Sequence, residues 1–141
     1  MKVYSDDFED GKTIPREFGY RTENISPHIG WEDIPIETKS LALLCNDPDA
    51  PAGDWIHWIV HSIDPSIKEI PKGGPIPGVE LQNGFGRIGW GGPAPPSGTH
   101  RYFFTLYALD VPRLEGVSKK EFKDRCERHK IGKAQFMGTY P

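Results

Sequence analysis

The sequence has few cysteines, no long apolar run and no excess of positive charge, and each shortage excludes a class of protein. Two cysteines among 141 residues cannot form a disulfide framework, so both are expected to be free thiols of a reducing compartment. The longest apolar run, residues 41–45, is too short to span a bilayer. The first ten residues lack the apolar core of a signal peptide. These features predict a soluble, cytoplasmic protein without a membrane span.

Charge and composition exclude further classes of protein. Lys and Arg total 17 against 20 Asp and Glu, a net charge of −3, so the chain has no electrostatic footprint for nucleic acid. The 16 glycines and 14 prolines form about a fifth of the chain, which disfavours a helical bundle. Aromatic residues make up 11% of the chain, too many for a disordered one. With no internal repeat or linker, residues 1–141 are expected to form one domain.

Three stretches read as strands and one as a helix. Residues 40–46 are a short apolar run, while Trp55–Ile63 and His100–Leu109 combine aromatic and β-branched residues on both faces. Large residues on both faces predict strands covered on both sides. A capping box with Ser118 as N-cap predicts a helix that ends near Gly132, followed by a final strand over residues 133–140. The predicted class is mainly β, with one or two short helices.

Candidate site residues cluster after the first strand and near the histidines. Asp47-Pro48-Asp49-Ala50-Pro51 can present two carboxylates on a stiff backbone, although an ordinary turn uses the same residue types. His57 and His61 lie about 13 Å apart on a strand that rises ~3.3 Å per residue, so they cannot share a metal ion. The sequence has no H-x-H, H-E-x-x-H or C-x-x-C pair, so neither a metal site nor a cofactor is expected.

Residues 84–98 contain a literal G-x-G-x-x-G pattern, but the prolines that follow cannot begin the helix that a dinucleotide site requires. The segment is better interpreted as a rigid, irregular loop that leads into His100. Ser97 and Cys45 are the candidate nucleophiles. Ser97 lies outside a G-x-S-x-G elbow, and Cys45 lies in an apolar strand, so covalent catalysis is not expected.

The order of these segments resembles the phosphatidylethanolamine-binding protein (PEBP) family, which includes the Raf kinase inhibitor proteins. The resemblance rests on the motifs D-P-D-A-P at residues 47–51, W-x-H-W at 55–58, G-G-P-x-P-P at 91–96 and G-x-H-R-Y at 98–102. It spans nearly the whole chain and points to the bacterial and archaeal branch. It implies an antiparallel β-sandwich with a small pocket at one end, and cis peptides at Ala50–Pro51 and Gly53–Asp54.

The resemblance also implies the site and its function. The pocket is expected to be lined by eight residues: Asp47, Asp49, Pro51, His57, Pro95, Pro96, His100 and Tyr102. It would bind phosphate or carboxylate anions, such as the phosphate of a phosphoethanolamine head group, without catalysis. The protein would then modulate a kinase, a serine protease or another signalling partner, with a homodimer as a further expectation of this branch.

The chemistry of such a pocket predicts separate roles for its acids and its histidines. Asp47 or Asp49 is expected to accept a hydrogen bond from one imidazole nitrogen, which leaves the other nitrogen for an anion. Two alternatives stay open from the sequence. One is a serine-protease inhibitor that acts through a surface loop, and the other is an enzyme that uses an Asp–His pair for acid–base work on a phosphorylated substrate.

Overall fold

Eight β-strands form two antiparallel sheets in the computed structural model, which describes residues 1–141. The smaller sheet has the order β1-β2-β5 and the larger the order β6-β4-β3-β7-β8. The strands are β1 (Lys2–Tyr4), β2 (Ile29–Glu32), β3 (Ser40–Asp47), β4 (Trp55–Ile63), β5 (Glu69–Ile70), β6 (Val79–Glu80), β7 (His100–Leu109) and β8 (Lys130–Tyr140). A 3₁₀ turn at Arg16–Phe18 and the helix α1 (Phe122–His129) complete the elements. The predicted class, mainly β with one or two short helices, is confirmed.

Two apolar clusters cover the large sheet on both faces. The first lies between the sheets and joins Val3, Ile29 and Trp31 of the small sheet to Leu43, Trp58 and Phe104 of the large one. The second lies on the opposite face, where Phe122 and Cys126 of α1 pack on a layer that includes Leu44 and Ile59. This double cover explains why β3, β4 and β7 carry large apolar residues on both faces, as predicted. No helix of the structure is long and apolar enough to cross a membrane.

The bounds of the predicted strands agree closely with the structure, but the predicted alternation of side chains between the two faces of β4 does not. β4 and β7 have the predicted bounds, and β3 extends one residue further, to Asp47. Strict alternation predicts that Ile56 shares a face with Trp58, whereas Ile56 packs on the cluster that contains Ile59. Between Cys45 and Asn46 of β3, the paired residue on β4 changes from Trp58 to Ile56, so one residue of β4 is left over as a bulge. This bulge reverses which face of the sheet the neighbouring side chains of β4 occupy.

The helix begins later and ends earlier than the sequence predicts. Ser118 is not its N-cap: the Ser118 Oγ accepts a hydrogen bond from the Glu121 amide in a preceding turn, and α1 begins at Phe122. Gly132 is not its stop, because the helix ends at His129 and β8 begins at the next residue. Backbone hydrogen bonds to β7 stabilise residues 130–132 as a strand more than a further helical turn would. β8 therefore begins three residues before the predicted strand.

The topology brings three strand ends to one edge of the large sheet. β3 pairs antiparallel with both β4 and β7, so its last residue lies beside the first residues of the two neighbours. Asp47 pairs with Trp55 in register, and Asn46 pairs with Phe103. The expected cis peptides at Ala50–Pro51 and Gly53–Asp54 are wrong, since the cis bonds of the chain are Gly74–Pro75 and Tyr140–Pro141.

Candidate functional site

A hollow of about 240 Å³ opens at the edge where β3 ends and β4 and β7 begin. Seven of the eight predicted site residues line it, and Asp49 does not. The loop over residues 83–99 supplies the opposite wall through Phe85, Ala94 and the two prolines. Its lining residues are Asp47, Ala50, Pro51, Trp55, His57, Phe85, Ala94, Pro95, Pro96, His100 and Tyr102.

Asp47 and His100 form a buried pair at the base of the hollow. The Asp47 Oδ2 accepts a hydrogen bond from the His100 Nδ1 at 2.7 Å, and the two residues are 3% and 8% exposed. The other carboxylate oxygen accepts the amide of Asp49 at 2.7 Å, which holds the loop after β3. This bond fixes the proton on the His100 Nδ1 and leaves Nε2 for a ligand. The predicted carboxylate–imidazole bond is therefore confirmed for Asp47.

His57 is held from the other side by the backbone. Its Nδ1 donates to the carbonyl of Gly91, and the Tyr102 ring lies edge-on to it with the ring centroids 5.0 Å apart. Burial lowers the pKa of His57, against the smaller opposing effects of the Gly91 carbonyl and the Asp47 carboxylate. His57 is therefore neutral at neutral pH, with an unprotonated Nε2.

Two further donors in the hollow have no partner. The indole N–H of Trp55 and the hydroxyl of Tyr102 are buried and donate no hydrogen bond within the protein, although the Ala94 amide lies close enough to the Tyr102 oxygen to oppose the rise of its pKa. Burial raises the pKa of Tyr102, with the Asp47 carboxylate as the next cause, so its hydroxyl stays protonated. A buried donor without an acceptor costs roughly 1–3 kcal/mol. The Tyr102 hydroxyl therefore keeps a proton without an acceptor beside His57, whereas the Trp55 indole N–H lies against the backbone of Gly84.

Asp49 lies on the outer side of the loop. Its carboxylate accepts hydrogen bonds from the Nε and the amide of Arg101, at 2.9 and 3.0 Å, and from the Arg101 Nη2 at 2.8 Å. Hydrogen bonds from Arg101 lower the pKa of Asp49 to about 2. The expectation that Asp49 lines the pocket is therefore wrong. This carboxylate clamps the loop to β7, and the turn that begins directly after Asp47 directs it outward to Arg101, away from the hollow.

Sequence reasoning missed four lining residues. Trp55 shares a strand face with His57, and that alternation could have placed it in the site. Phe85 gave no such signal, because it lies between two glycines in an irregular loop. Its ring stacks on Tyr20 with centroids 3.8 Å apart and meets the edge of His57 at 5.8 Å. Ala50 and Ala94 contribute only small side chains to the lining, next to the motif prolines.

The other candidate groups lie outside the hollow. His28 bonds Glu69, and His129 bonds Asp110. His61 is buried beside Phe122, and its Nε2 has no partner. The Cys45 thiol is fully buried, and burial raises its pKa well above the usual value, so it packs as an inert side chain. No group of three or more His, Cys, Asp or Glu side chains is placed to hold a metal ion.

The fold and the site define a β-sandwich protein with an acid–imidazole pocket at the ends of three strands, and comparison with known proteins gives its family. The sequence matches the family Phosphatidylethanolamine-binding protein over residues 4–141. The chain therefore belongs to the PEBP family.

Its relatives come from bacteria and archaea. The UPF0098 protein of Methanothermobacter thermautotrophicus is 43% identical over 99% of this chain and 98% of its own length. The UPF0098 protein YbhB of Escherichia coli is 41% identical over 99% of both chains.

Two solved structures have the same fold over 99% of this chain and 96% of their own. The PEBP homologue CT736 of Chlamydia trachomatis superposes with a TM-score of 0.92 at 38% identity. The E. coli protein YbcL, described as a new member of the mammalian PEBP family, has a TM-score of 0.91 at 28% identity.

Proposed function

We propose that this protein is a binding module whose hollow takes the anionic group of a small phosphate- or phosphoethanolamine-type ligand. The observation that carries the proposal is the pair of imidazoles that line one hollow, each with its Nδ1 already bonded, to Asp47 or to the Gly91 carbonyl. The remaining nitrogen of each ring, once protonated, is a donor for an oxygen atom of an anion. A phosphate offers several acceptor oxygens to one site.

The two histidines supply the charge that the anion needs. With Nδ1–H of each ring bonded to Asp47 or to the Gly91 carbonyl, the neutral rings present unprotonated Nε2 atoms to the hollow. Protonation of Nε2 converts a lone pair into a charge-assisted donor and adds a positive charge. The Asp47 carboxylate stabilises that charge on His100 at 2.7 Å. Ligand binding is therefore coupled to proton uptake, and affinity falls as the pH rises.

We propose that the hollow binds without transforming its ligand. No serine, cysteine, threonine or lysine lines it, so the side chains that most often form covalent intermediates are missing from the wall. The Asp47–His100 pair could still act as a general base on a phosphoester. Assays of phosphoester turnover decide between the two: a rate above background that is lost in His57→Ala would replace binding with catalysis.

The same proposal includes regulation of a partner protein in the cytoplasm. Residues 96–99 are exposed next to the lining prolines, so a partner that contacts this rim would sense the occupied hollow. The rigid rim also fits the alternative of a serine-protease inhibitor. Chymotrypsin-like activity measured with and without the protein separates the two, because inhibition that is unaffected by His100→Ala would act through the rim alone.

The direct experiment is a titration with inorganic phosphate or phosphoethanolamine followed by the ring NMR signals of His57 and His100. Both rings are expected to shift in a saturable manner, with tighter binding at lower pH. His100→Ala is expected to abolish the shift of His57 while the protein stays folded. Rings that do not move at saturating ligand would overturn the proposal, and unfolding of His100→Ala would instead assign that ring a structural role.

A further inference from the structure

A second cavity, of about 210 Å³, lies on the face of the large sheet that carries α1. Its volume is close to that of the hollow, and the two cavities have no lining residue in common. The two charged residues of its lining, Lys123 and Lys133, give it the name lysine groove. The lining consists of Leu44, Asn46, Phe103, Thr105, Tyr107, Lys123, Lys133 and Gln135.

The lysine groove forms where the apolar cluster beneath α1 ends. Tyr107 of β7 belongs to that cluster, together with Phe122 of α1. Two residues earlier on the same face of β7, Thr105 lies outside the cluster and pairs in register with Gln135 of β8. Polar side chains therefore replace apolar ones at the margin of the helix, and the groove lies above them.

The floor of the groove carries a buried hydroxyl that is only half used. Thr105 is 3% exposed, and its Oγ1 accepts a hydrogen bond from the Gln135 Nε2 at 2.8 Å. The Thr105 O–H and the Gln135 side-chain carbonyl make no other hydrogen bond within the protein. A hydroxyl group both donates and accepts, so one hydroxyl of a ligand can accept from Thr105 and donate to Gln135.

Lys123 is the charged group of the lining that has no partner. The Lys133 ammonium lies 3.0 Å from the Glu127 carboxylate, which also pairs with Lys130. The other lysine and arginine ion pairs of the protein do not include Lys123. Helix stability does not account for its position either, because the first turn of a helix favours negative charge. Lys123 is therefore available as a charge-assisted donor to an anion.

A carboxylate next to the groove limits the charge that a ligand can carry. The Asn46 Nδ2 donates to the exposed Asp54 carboxylate at 2.6 Å, so a negative charge lies beside one lining residue. A phosphate dianion would bring two charges to one uncompensated ammonium and would be repelled by Asp54. A single carboxylate group matches the charge of Lys123.

We infer that the lysine groove is a second binding site, which takes a small hydroxylated carboxylate of the sugar-acid class. The carboxylate pairs with Lys123, and a hydroxyl group bonds Thr105 and Gln135 together. A fatty acid of the same length would leave the two neutral groups unused, and a neutral polyol would leave Lys123 unpaired. The inference does not depend on the proposed function of the hollow.

The test is a titration with gluconate followed by the side-chain amide NMR signals of Gln135. A saturable shift is expected. Sorbitol, which lacks the carboxylate, and hexanoate, which lacks the hydroxyls, should each bind at least about tenfold more weakly, because each loses one set of hydrogen bonds. A Gln135 amide that does not respond to gluconate, or equal affinities for the three compounds, would overturn the inference.

Variants assign the binding to individual side chains. Lys123→Met and Thr105→Val should each weaken gluconate binding about tenfold. Lys120→Met is the matched control and should bind normally, since Lys120 is exposed in the turn before α1 and does not line the groove. Equal losses in Lys120→Met and Lys123→Met would reduce the binding to unspecific charge attraction and contradict the site. Circular dichroism checks folding, and the exposed Lys123 keeps the test valid if Thr105→Val does not fold.

His100→Ala separates the groove from the hollow. Gluconate binding should be unchanged in this variant, because His100 lines only the hollow. Binding that is lost in His100→Ala and kept in Lys123→Met would place gluconate in the hollow. That result would overturn the second site and leave the proposed function of the hollow intact.

Discussion

Asp47 connects the loop to the pocket through one carboxylate. One oxygen accepts the Asp49 amide, and the other accepts the His100 Nδ1, both at 2.7 Å. The residue is 3% exposed, so neither bond can be replaced by water without opening the site. The geometry of the loop and the orientation of the imidazole therefore depend on the same side chain.

Asp47→Asn is expected to weaken phosphate binding at least tenfold and to destabilise the protein by about 1–3 kcal/mol, since an amide cannot replace both acceptor oxygens. Isothermal calorimetry and urea unfolding measure the two effects. Asp54→Asn is the control, because Asp54 is exposed and its carboxylate bonds only Asn46. Equal losses in the two variants would contradict the role of Asp47.

Two buried histidines predict the pH dependence of stability. Burial is the largest cause that lowers the pKa of His57 and of His61 from 6.5. The unfolded chain then takes up protons at a higher pH than the folded one, so their contribution to stability is present above pH 6.5 and is lost as the pH falls below it.

Unfolding free energies measured from about pH 7.5 to about pH 5 should fall with acidification, in the range where free histidine titrates. His61→Gln should flatten part of this slope, because the His61 Nε2 has no partner to stabilise a proton. His129→Gln, at a half-exposed position, is the control. A slope unchanged in His61→Gln would exclude that ring as a cause.

Local residue patterns predicted which residue types form the site better than they predicted which way each side chain points. The spacing of the two carboxylates in residues 47–51 allowed both to face the pocket, but only Asp47 does. The difference depends on Arg101, whose bidentate grip on Asp49 follows from the pairing of β3 with β7. No local pattern contains that long-range contact.

At the scale of elements, the site is a consequence of antiparallel pairing. Because β3 lies between β4 and β7, Asp47, Trp55 and His100 reach the same sheet edge. The two neighbours of β3, β4 and β7, were predictable from their aromatic and β-branched content, and their bounds agree with the structure. The bulge in β4 and the early end of α1 were not predictable, because each depends on pairing with a neighbouring strand.

The loop that carries Phe85 and the two lining prolines depends on a close approach at Gly92. A Cβ at this position would lie 1.9 Å from the carbonyl oxygen of Phe18, which is backbone and cannot rotate away. Gly92→Ala is therefore expected to cost more than the ~1–3 kcal/mol of ordinary overpacking. Urea unfolding measures this loss, and the phosphate titration should show weaker binding.

Gly98→Ala is the matched control for Gly92. Gly98 has a φ of +69° but no atom within 4 Å of a Cβ, so its cost is limited to roughly 1–2 kcal/mol of left-handed backbone strain. Equal destabilisation of the two variants would show that the contact with Phe18 does not hold the loop.

On the scale of the whole molecule, the hollow lies at one end of the β7–β8 ladder. His100 pairs with Tyr140 at the hollow, and Leu109 pairs with Lys130 at the opposite end, where β8 follows α1. The family resemblance predicted the convergence of His57 and His100, whereas composition and periodicity alone gave the strands and not their arrangement.

Thermal unfolding of wild type and Tyr102→Phe, each with and without phosphate, tests the central claim most directly. The Tyr102 hydroxyl is buried without a partner, so its removal should leave the Tm of the free protein unchanged or higher. Phosphate should raise the Tm of wild type, since a ligand that binds only the folded state stabilises it, and should raise that of Tyr102→Phe much less. A lower Tm for free Tyr102→Phe, together with an undiminished phosphate effect, would contradict an anion-binding role for the hollow.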